Sequence, residues 1–163
     1  MKRLLTTALL ITLVAGAASA ATNPFGVRGG LSFEPDQFFV GGQMYITEFS
    51  EDFWFVPKVD AGFGDDQTYI YIWPTALYTL TGTDMGGFTP YVGGGAGFTY
   101  YKFDIPAGFS GLGIDDSGTE FGISGVAGLK KKLDTKKELF FEFELGLSDY
   151  TADIKLGAGL NFF

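Results

Sequence analysis

The sequence predicts an all-β protein: a closed antiparallel up-and-down transmembrane β-barrel of about eight strands, preceded by an N-terminal signal peptide. Three observations carry this reading. Apolar and polar residues alternate with period two from residue 25 to the end. The polar side of that alternation holds charges in mid-strand, and aromatic residues gather near strand ends.

The first segment reads as a secretory signal. Lys2 and Arg3 give a positive start, Leu4 to Ala15 supply a short apolar stretch, and Ala18-Ser19-Ala20 offers small residues for cleavage after Ala20. The apolar stretch is shorter than the roughly 20 residues of a spanning helix. The expected organisation is therefore a signal peptide over 1–20 and one barrel domain over 21–163. No later apolar run is long enough for a membrane helix, so a mature membrane form must cross with strands.

Loss of Lys2 and Arg3 leaves nine bases against 19 acids, a mature net charge of about −10. Such a surface does not suit nucleic acid, whose phosphates require Lys and Arg to neutralise them. The Lys130–Lys132 run with Lys136 and Lys137 reads as one charged turn. Cys is absent, so no disulfide framework supports the fold.

The clearest strand is 139–147, where Leu139, Phe141, Phe143, Leu145 and Leu147 oppose Phe140, Glu142, Glu144 and Gly146. The last strand sets Ala152, Ile154, Leu156, Ala158, Leu160 and Phe162 against Thr151, Asp153, Lys155, Gly157, Gly159 and Asn161. Near the start, Phe25, Val27, Leu31 and Phe33 oppose Arg28 and Ser32; further on, Lys58 and Asp60 oppose Phe55, Val59 and Ala61. Glu120, Gly122 and Ser124 oppose Phe121, Ile123 and Leu129. Turn chemistry at Glu34-Pro35-Asp36, Ser50-Glu51-Asp52, Gly64-Asp65-Asp66, Thr81 to Gly87, Asp134-Thr135 and Ser148-Asp149 separates the runs. The predicted strands are 25–34, 37–48, 53–63, 68–80, 88–102, 118–132, 138–148 and 151–163. In the fourth, Tyr69, Tyr71 and Trp73 compete with Ile70, Ile72 and Ala76 for the outer face, and Pro74 interrupts the ladder.

Pairing Ser148 with Thr151 fixes the register of the last hairpin. Leu147 then meets Ala152, Leu145 meets Ile154, Phe143 meets Leu156 and Phe141 meets Ala158, all outward. The same register sets Glu144 opposite Lys155 on the inner side, an expected cross-strand ion pair. A slip of one residue would swap the faces.

A soluble barrel also alternates, with its apolar side inward. Here the polar side carries Arg28, Lys58, Asp60, Glu120, Glu142, Glu144, Asp153 and Lys155, charges that a polar lumen tolerates and lipid does not. Phe25, Phe53, Trp54, Phe55, Tyr69, Tyr91, Tyr100, Tyr101, Tyr150, Phe162 and Phe163 suit two interfacial girdles. Glycines within strands, as in the run from Pro90 to Phe98, allow tight coiling and leave room for large inward side chains.

The signal peptide, the strand PYVGGGAGF and the ending KLGAGLNFF resemble the small outer-membrane β-barrel family of OmpA/OmpX type across the whole mature chain. The resemblance implies a cell outer-membrane location, contact with outer-membrane lipid and lipopolysaccharide, and a side-chain-filled lumen. It also implies recognition by the barrel assembly machinery through the terminal aromatic Phe163. The alternation itself puts Phe162, not Phe163, on the lipid face.

Enzymes of such barrels, lipid A deacylases and omptin proteases, use His, and this chain has none. With neither His nor Cys, a hydroxyl nucleophile lacks its usual base. Glu142 and Glu144 could form an acid pair, but a salt-bridge network with Lys155, Arg28 and Lys58 is the expected arrangement in so narrow a lumen. Gly93-Gly94-Gly95 lacks the Lys and the helix of a phosphate loop. Asp65-Asp66 and Asp115-Asp116 with Glu120 match no calcium-loop spacing and read as solvated acidic loops. No catalytic, cofactor-binding or metal-binding residue is assigned, and no cofactor is expected.

With a periplasmic N-terminus, the external loops fall near Glu34, Gly64, 102–118 and Ser148, and the Lys130–Lys137 turn faces the periplasm. The preferred function is a monomeric, non-enzymatic structural or surface-interaction protein, with Phe109, Leu112 and Ile114 as loop contacts. One alternative is a narrow channel for small solutes or cations, biased by five lumen acids (Asp60, Glu120, Glu142, Glu144, Asp153) against three bases (Arg28, Lys58, Lys155). The other is a soluble periplasmic ligand-binding barrel.

Overall fold

The computed structural model describes residues 23–65, 67–103, 117–148 and 152–163. Its strands are β1 (Phe25–Phe33), β2 (Gln37–Met44), β3 (Thr47–Ser50), β4 (Phe53–Phe55), β5 (Lys58–Gly64), β6 (Gln67–Trp73), β7 (Thr75–Thr79), β8 (Thr89–Phe103), β9 (Ser117–Lys132), β10 (Lys137–Gly146) and β11 (Ile154–Phe162). Three of the barrel's long strands are each broken once, so β2 with β3, β4 with β5 and β6 with β7 each act as one stave. Eight antiparallel staves result, each paired with the next in sequence, and β1 pairs with β11 to close the barrel. The eight predicted strands match these staves. The proposed signal peptide lies outside the described residues.

Each break has a local cause. Extending the β5–β6 register, in which Lys58 faces Trp73, sets Pro57 opposite Pro74. Two residues that cannot donate a ladder bond therefore meet at one point, and each proline carbonyl still accepts from its other neighbour: Met44 N–H at 3.1 Å and Ala96 N–H at 3.2 Å. The second stave bulges at Tyr45–Ile46. Gln43 faces Lys58 on one side of the bulge and Thr47 faces Phe55 on the other, which shifts the register by one residue. Tyr45 consequently stays inside while Phe49, 60% exposed, lies outside against Phe53 and Phe55.

The two faces separate cleanly. Val27, Leu31, Val59, Ile72, Val92, Phe121, Phe143 and Leu156 are exposed on the outside, whereas Arg28, Lys58, Asp60, Glu142, Glu144 and Lys155 are buried inside. This is the inverse of a soluble barrel, which must turn its apolar side inward to gain from burial. Odd-numbered residues of the fourth stave point inward, so Tyr71, Trp73, Thr75, Leu77 and Thr79 are buried and Ile72 is outside. That settles the competition between its aromatic and aliphatic sides in favour of an aromatic interior.

Glycine provides the room. Gly128 lies beside Tyr91 across the β8–β9 pair, and a Cβ there would overlap the Tyr91 ring. Gly157 likewise faces Glu142, beneath the rings and charges that fill the centre. Large inward side chains on one strand thus sit over bare backbone on the next.

Candidate functional site

The lumen is where this fold brings its charged residues together. Alternation points Arg28 of β1, Lys58 and Asp60 of β5, Glu142 and Glu144 of β10 and Lys155 of β11 into one cross-section. The Arg28 fork donates through Nη1 to Glu142 Oε1 and through Nη2 to Glu144 Oε1, both at 2.8 Å, and its Nε lies 3.4 Å from Asp60 Oδ1. The Lys58 ammonium donates to the same two glutamate oxygens at 2.5 and 3.1 Å. Tyr91 Oη donates to the other Glu142 oxygen at 2.9 Å. Three bases meet three acids, and pairing of this kind is what makes buried charge tolerable.

Lys155 departs from the expected partner. It faces Glu144 in the predicted register, yet its ammonium donates to Asp60 Oδ2 at 2.7 Å. On the way it passes the Phe39 ring at 4.4 Å and the Tyr71 ring at 4.3 Å. Arg28 and Lys58 already hold Glu144, and the lumen is narrow enough for Lys155 to reach Asp60 past the staves of β1 and β2.

Asp153 is a second correction. It is exposed, Ala152 is buried in its place, and β11 begins only at Ile154. The Asp153 backbone is taken up at the barrel rim, its carbonyl accepting from Gly146 N–H at 2.9 Å and its N–H donating to Glu34 O at 3.3 Å. Alternation therefore stops one residue before the strand, and the expected outward contact of Leu147 with Ala152 is not made. Glu120 points inward but is half-buried at the far end of β9. The central cluster holds three acids and three bases, with Glu120 and Glu138 as further inward acids away from it.

Towards the end that holds the chain termini, amides, aromatic rings and aliphatic side chains make up most of the filling, with Glu138 among them. Asn161 donates to Glu138 at 3.0 Å and to Tyr45 Oη at 3.2 Å, and accepts from Gln43 at 2.9 Å. Tyr45, Val56, Leu77, Tyr91 and Val126 pack together with Trp54 against them. Towards the other end, Trp73 Nε1 donates to Ser124 Oγ at 2.6 Å. A cavity of about 20 Å³ between Tyr71, Trp73, Ser124 and Lys155 has room for one water. Phe39, Lys58, Phe140, Val56 and Asn161 have essentially no accessible surface, so side chains fill this part of the lumen.

Several residues expected in interfacial girdles belong to this interior. Tyr91 is bound to Glu142, Trp54 packs on the inner apolar cluster, and Tyr69 and Tyr101, 6.0 Å apart, sit at the inner mouth. Phe25 and Phe162 do stack outside, at 5.2 Å, and Phe38 with Phe63 at 5.3 Å. Phe162 thus faces outward as alternation required, and the exposed Phe163 ring lies 6.3 Å from Tyr45. Tyr150 lies outside the described residues. Glu138 was missed as a lumen acid although it shares the parity of Glu142 and Glu144. Phe39 and Tyr45 had no signal beyond position.

The arrangement offers little chemistry. Glu142 and Glu144 are held by fixed cations and a tyrosine, so neither is placed to exchange a proton with a substrate. Ser32 Oγ donates to Pro35 O, and Ser124 Oγ accepts from the Trp73 N–H. Among the described residues no group of three or more Asp or Glu is arranged to hold a metal ion. Asp65 is exposed at a turn, while Asp66, Asp115 and Asp116 lie outside the described residues, as do Phe109, Leu112 and Ile114.

No protein-family model matches the chain, and no curated protein matches it either. Solved structures do. Neisserial surface protein A aligns over 86% of this chain and 94% of its own, at a TM-score of 0.59 and 14% identity. The Yersinia pestis outer membrane protein Ail in a phospholipid bilayer nanodisc aligns over 86% and 98%, at 0.52 and 10%. A de novo designed transmembrane β-barrel aligns over 86% and 93%, at 0.50 and 11%. At these identities the likeness establishes the fold: a small closed antiparallel barrel of the kind that spans membranes.

Proposed function

We propose that the chain is an integral protein of the bacterial outer membrane, without enzymatic activity, that serves a structural or surface-interaction role. The observation that carries this reading is the six-charge cluster of Arg28, Lys58, Asp60, Glu142, Glu144 and Lys155, which fills the lumen inside an apolar outer wall. A channel would need a continuous wet path, and a soluble carrier would need an apolar cavity and a polar exterior. Two of the similar folds belong to proteins named as a surface protein and an outer membrane protein, which supports the same location.

Purified protein reconstituted in a planar bilayer is expected to give no stable conductance steps, and cell fractionation should return a heat-modifiable band from the outer membrane. Regular large-conductance steps would establish the channel reading instead. Recovery in the detergent-free soluble fraction would establish the periplasmic carrier.

A further inference from the structure

The wall made by β8, β9, β10, β11 and β1 carries a groove whose lipid-side neighbours include Leu31, Val92, Phe141, Phe143 and Leu156, with a volume of about 750 Å³. Small residues deepen it: Gly29 and Ala158 sit side by side on β1 and β11, and Ala127 faces Phe143. One rung nearer the end that holds both termini, Lys131 stands opposite Leu139 on the same outer face. One rung further, Lys137 stands opposite Phe162 and accepts at its carbonyl from Leu133 N–H, 2.9 Å. Two exposed lysines therefore cap an apolar groove.

Their setting is that of a headgroup site. The Lys131 ammonium lies 5.3 Å from the Phe88 ring, which in turn lies 6.2 Å from Phe141 at the groove's edge. A lysine whose stem follows apolar rings and whose charge reaches the rim is placed at the level of lipid phosphates. Lys132 and Lys136 are exposed beside it. Of the nearby carboxylates, Glu138 is turned inward to Asn161, while Asp134 and Asp84 accept the backbone N–H groups of Lys136 at 2.7 Å and Gly87 at 2.6 Å. Of nine mature bases, five fall between residues 130 and 137, so the barrel's positive charge is concentrated at this one rim.

We propose that this wall binds one anionic phospholipid of the periplasmic leaflet, its phosphate between Lys131 and Lys137 and an acyl chain along the groove. The proposal rests on the outer-membrane reading and on a periplasmic location of the termini. A zwitterionic headgroup is the poorer occupant, since its own ammonium would meet Lys132 and Lys136.

The test is native mass spectrometry of the folded barrel in micelles. Phosphatidylglycerol and phosphatidylethanolamine with matched chains are offered together, and lipid A separately. Phosphatidylglycerol should be retained about thirtyfold over phosphatidylethanolamine, as two lysines near a headgroup would give. K131Q/K137Q should bring that ratio within about twofold, with the heat-modifiable band unchanged. Ala158→Trp, which fills the groove, should lower retention of both lipids and leave their ratio intact. Equal retention by the unmodified protein, or an undiminished ratio in K131Q/K137Q, would overturn the proposal. Lipid A binding lost with the same two lysines would overturn the assignment to the periplasmic leaflet. A protein that never yields a folded, heat-modifiable band would instead count against the membrane-barrel reading.

Discussion

Lys155 and Asp60 meet inside the barrel at 2.7 Å although two staves, those of β1 and β2, stand between β11 and β5. Glu144, directly opposite Lys155 in the β10–β11 ladder, is bound instead to Arg28 and Lys58. Ion pairing inside so narrow a lumen follows cross-barrel distance as much as strand neighbourhood.

Lys155→Met should therefore destabilise the barrel by about 1–3 kcal/mol, because Asp60 keeps the cost of burial without its partner. Adding Asp60→Asn should recover more of that loss than adding Glu144→Gln. Double-mutant cycles from denaturant unfolding in lipid vesicles measure both couplings. A larger coupling to Glu144 would show that the cross-strand pair governs after all.

Arg28 touches all three acids, so its removal exposes the most unbalanced charge. Arg28→Met should cost about 3–5 kcal/mol, more than Lys155→Met. Conservative Arg28→Lys should recover only part, since an ammonium cannot reproduce the two-pronged contact with Glu142 and Glu144. Unfolding midpoints of the three variants give the order directly.

Much of this is legible in the sequence. Strand positions and faces followed from period two, and the last hairpin's register followed from matching apolar and charged positions at once. Partner choice among the ions was not legible, because alternation gives the face of a residue but not what lies across the lumen. Asp153 was misplaced for a related reason: parity was extended past the strand, where the backbone bonds to Glu34 and leaves the ladder. Tyr91 and Trp54 were assigned to girdles from their place near strand ends alone, although Trp54 shares the parity of Lys58 and Asp60 and so faces inward. The Pro57–Pro74 break was half visible, as Pro74 was recognised without its opposite number.

Gly128→Val should overpack the lumen, since its side chain would enter the space of the Tyr91 ring. The expected loss is about 1–3 kcal/mol. Tyr91→Ala in the same chain should relieve only the ring part of the clash, since the Phe141 carbonyl also lies 2.6 Å from that Cβ, and it removes the hydrogen bond to Glu142. If Gly128→Val were as stable as the parent, the interior could not be as tightly filled as these contacts imply.

The terminal residues separate two roles. Phe162 stacks on Phe25 outside the barrel, while Phe163 extends past the last pair with its N–H donating to Lys136 O at 2.9 Å. Deletion of Phe163 should leave refolding in detergent nearly unchanged and lower the amount of folded barrel in cells, if the assembly machinery reads the terminal aromatic. Heat-modifiable protein per cell, set against refolding yield in vitro, distinguishes recognition from stability.

Depth in the membrane is the last test. Val59 lies midway along the third stave and is 48% exposed on the outer wall, whereas Phe49 sits at the end of the second stave. Lipid makes a charge costly at mid-depth, and water and headgroups relieve that cost near the ends. Val59→Arg should therefore destabilise the inserted barrel by about 2–4 kcal/mol, against about 0–1 kcal/mol for Phe49→Arg. A soluble barrel would show almost no difference, since both sites would face water. The comparison is made by chemical unfolding in vesicles and repeated in detergent with short chains, where the gap should narrow. Equal losses at the two sites in vesicles would mean that the apolar wall is not spanning a bilayer.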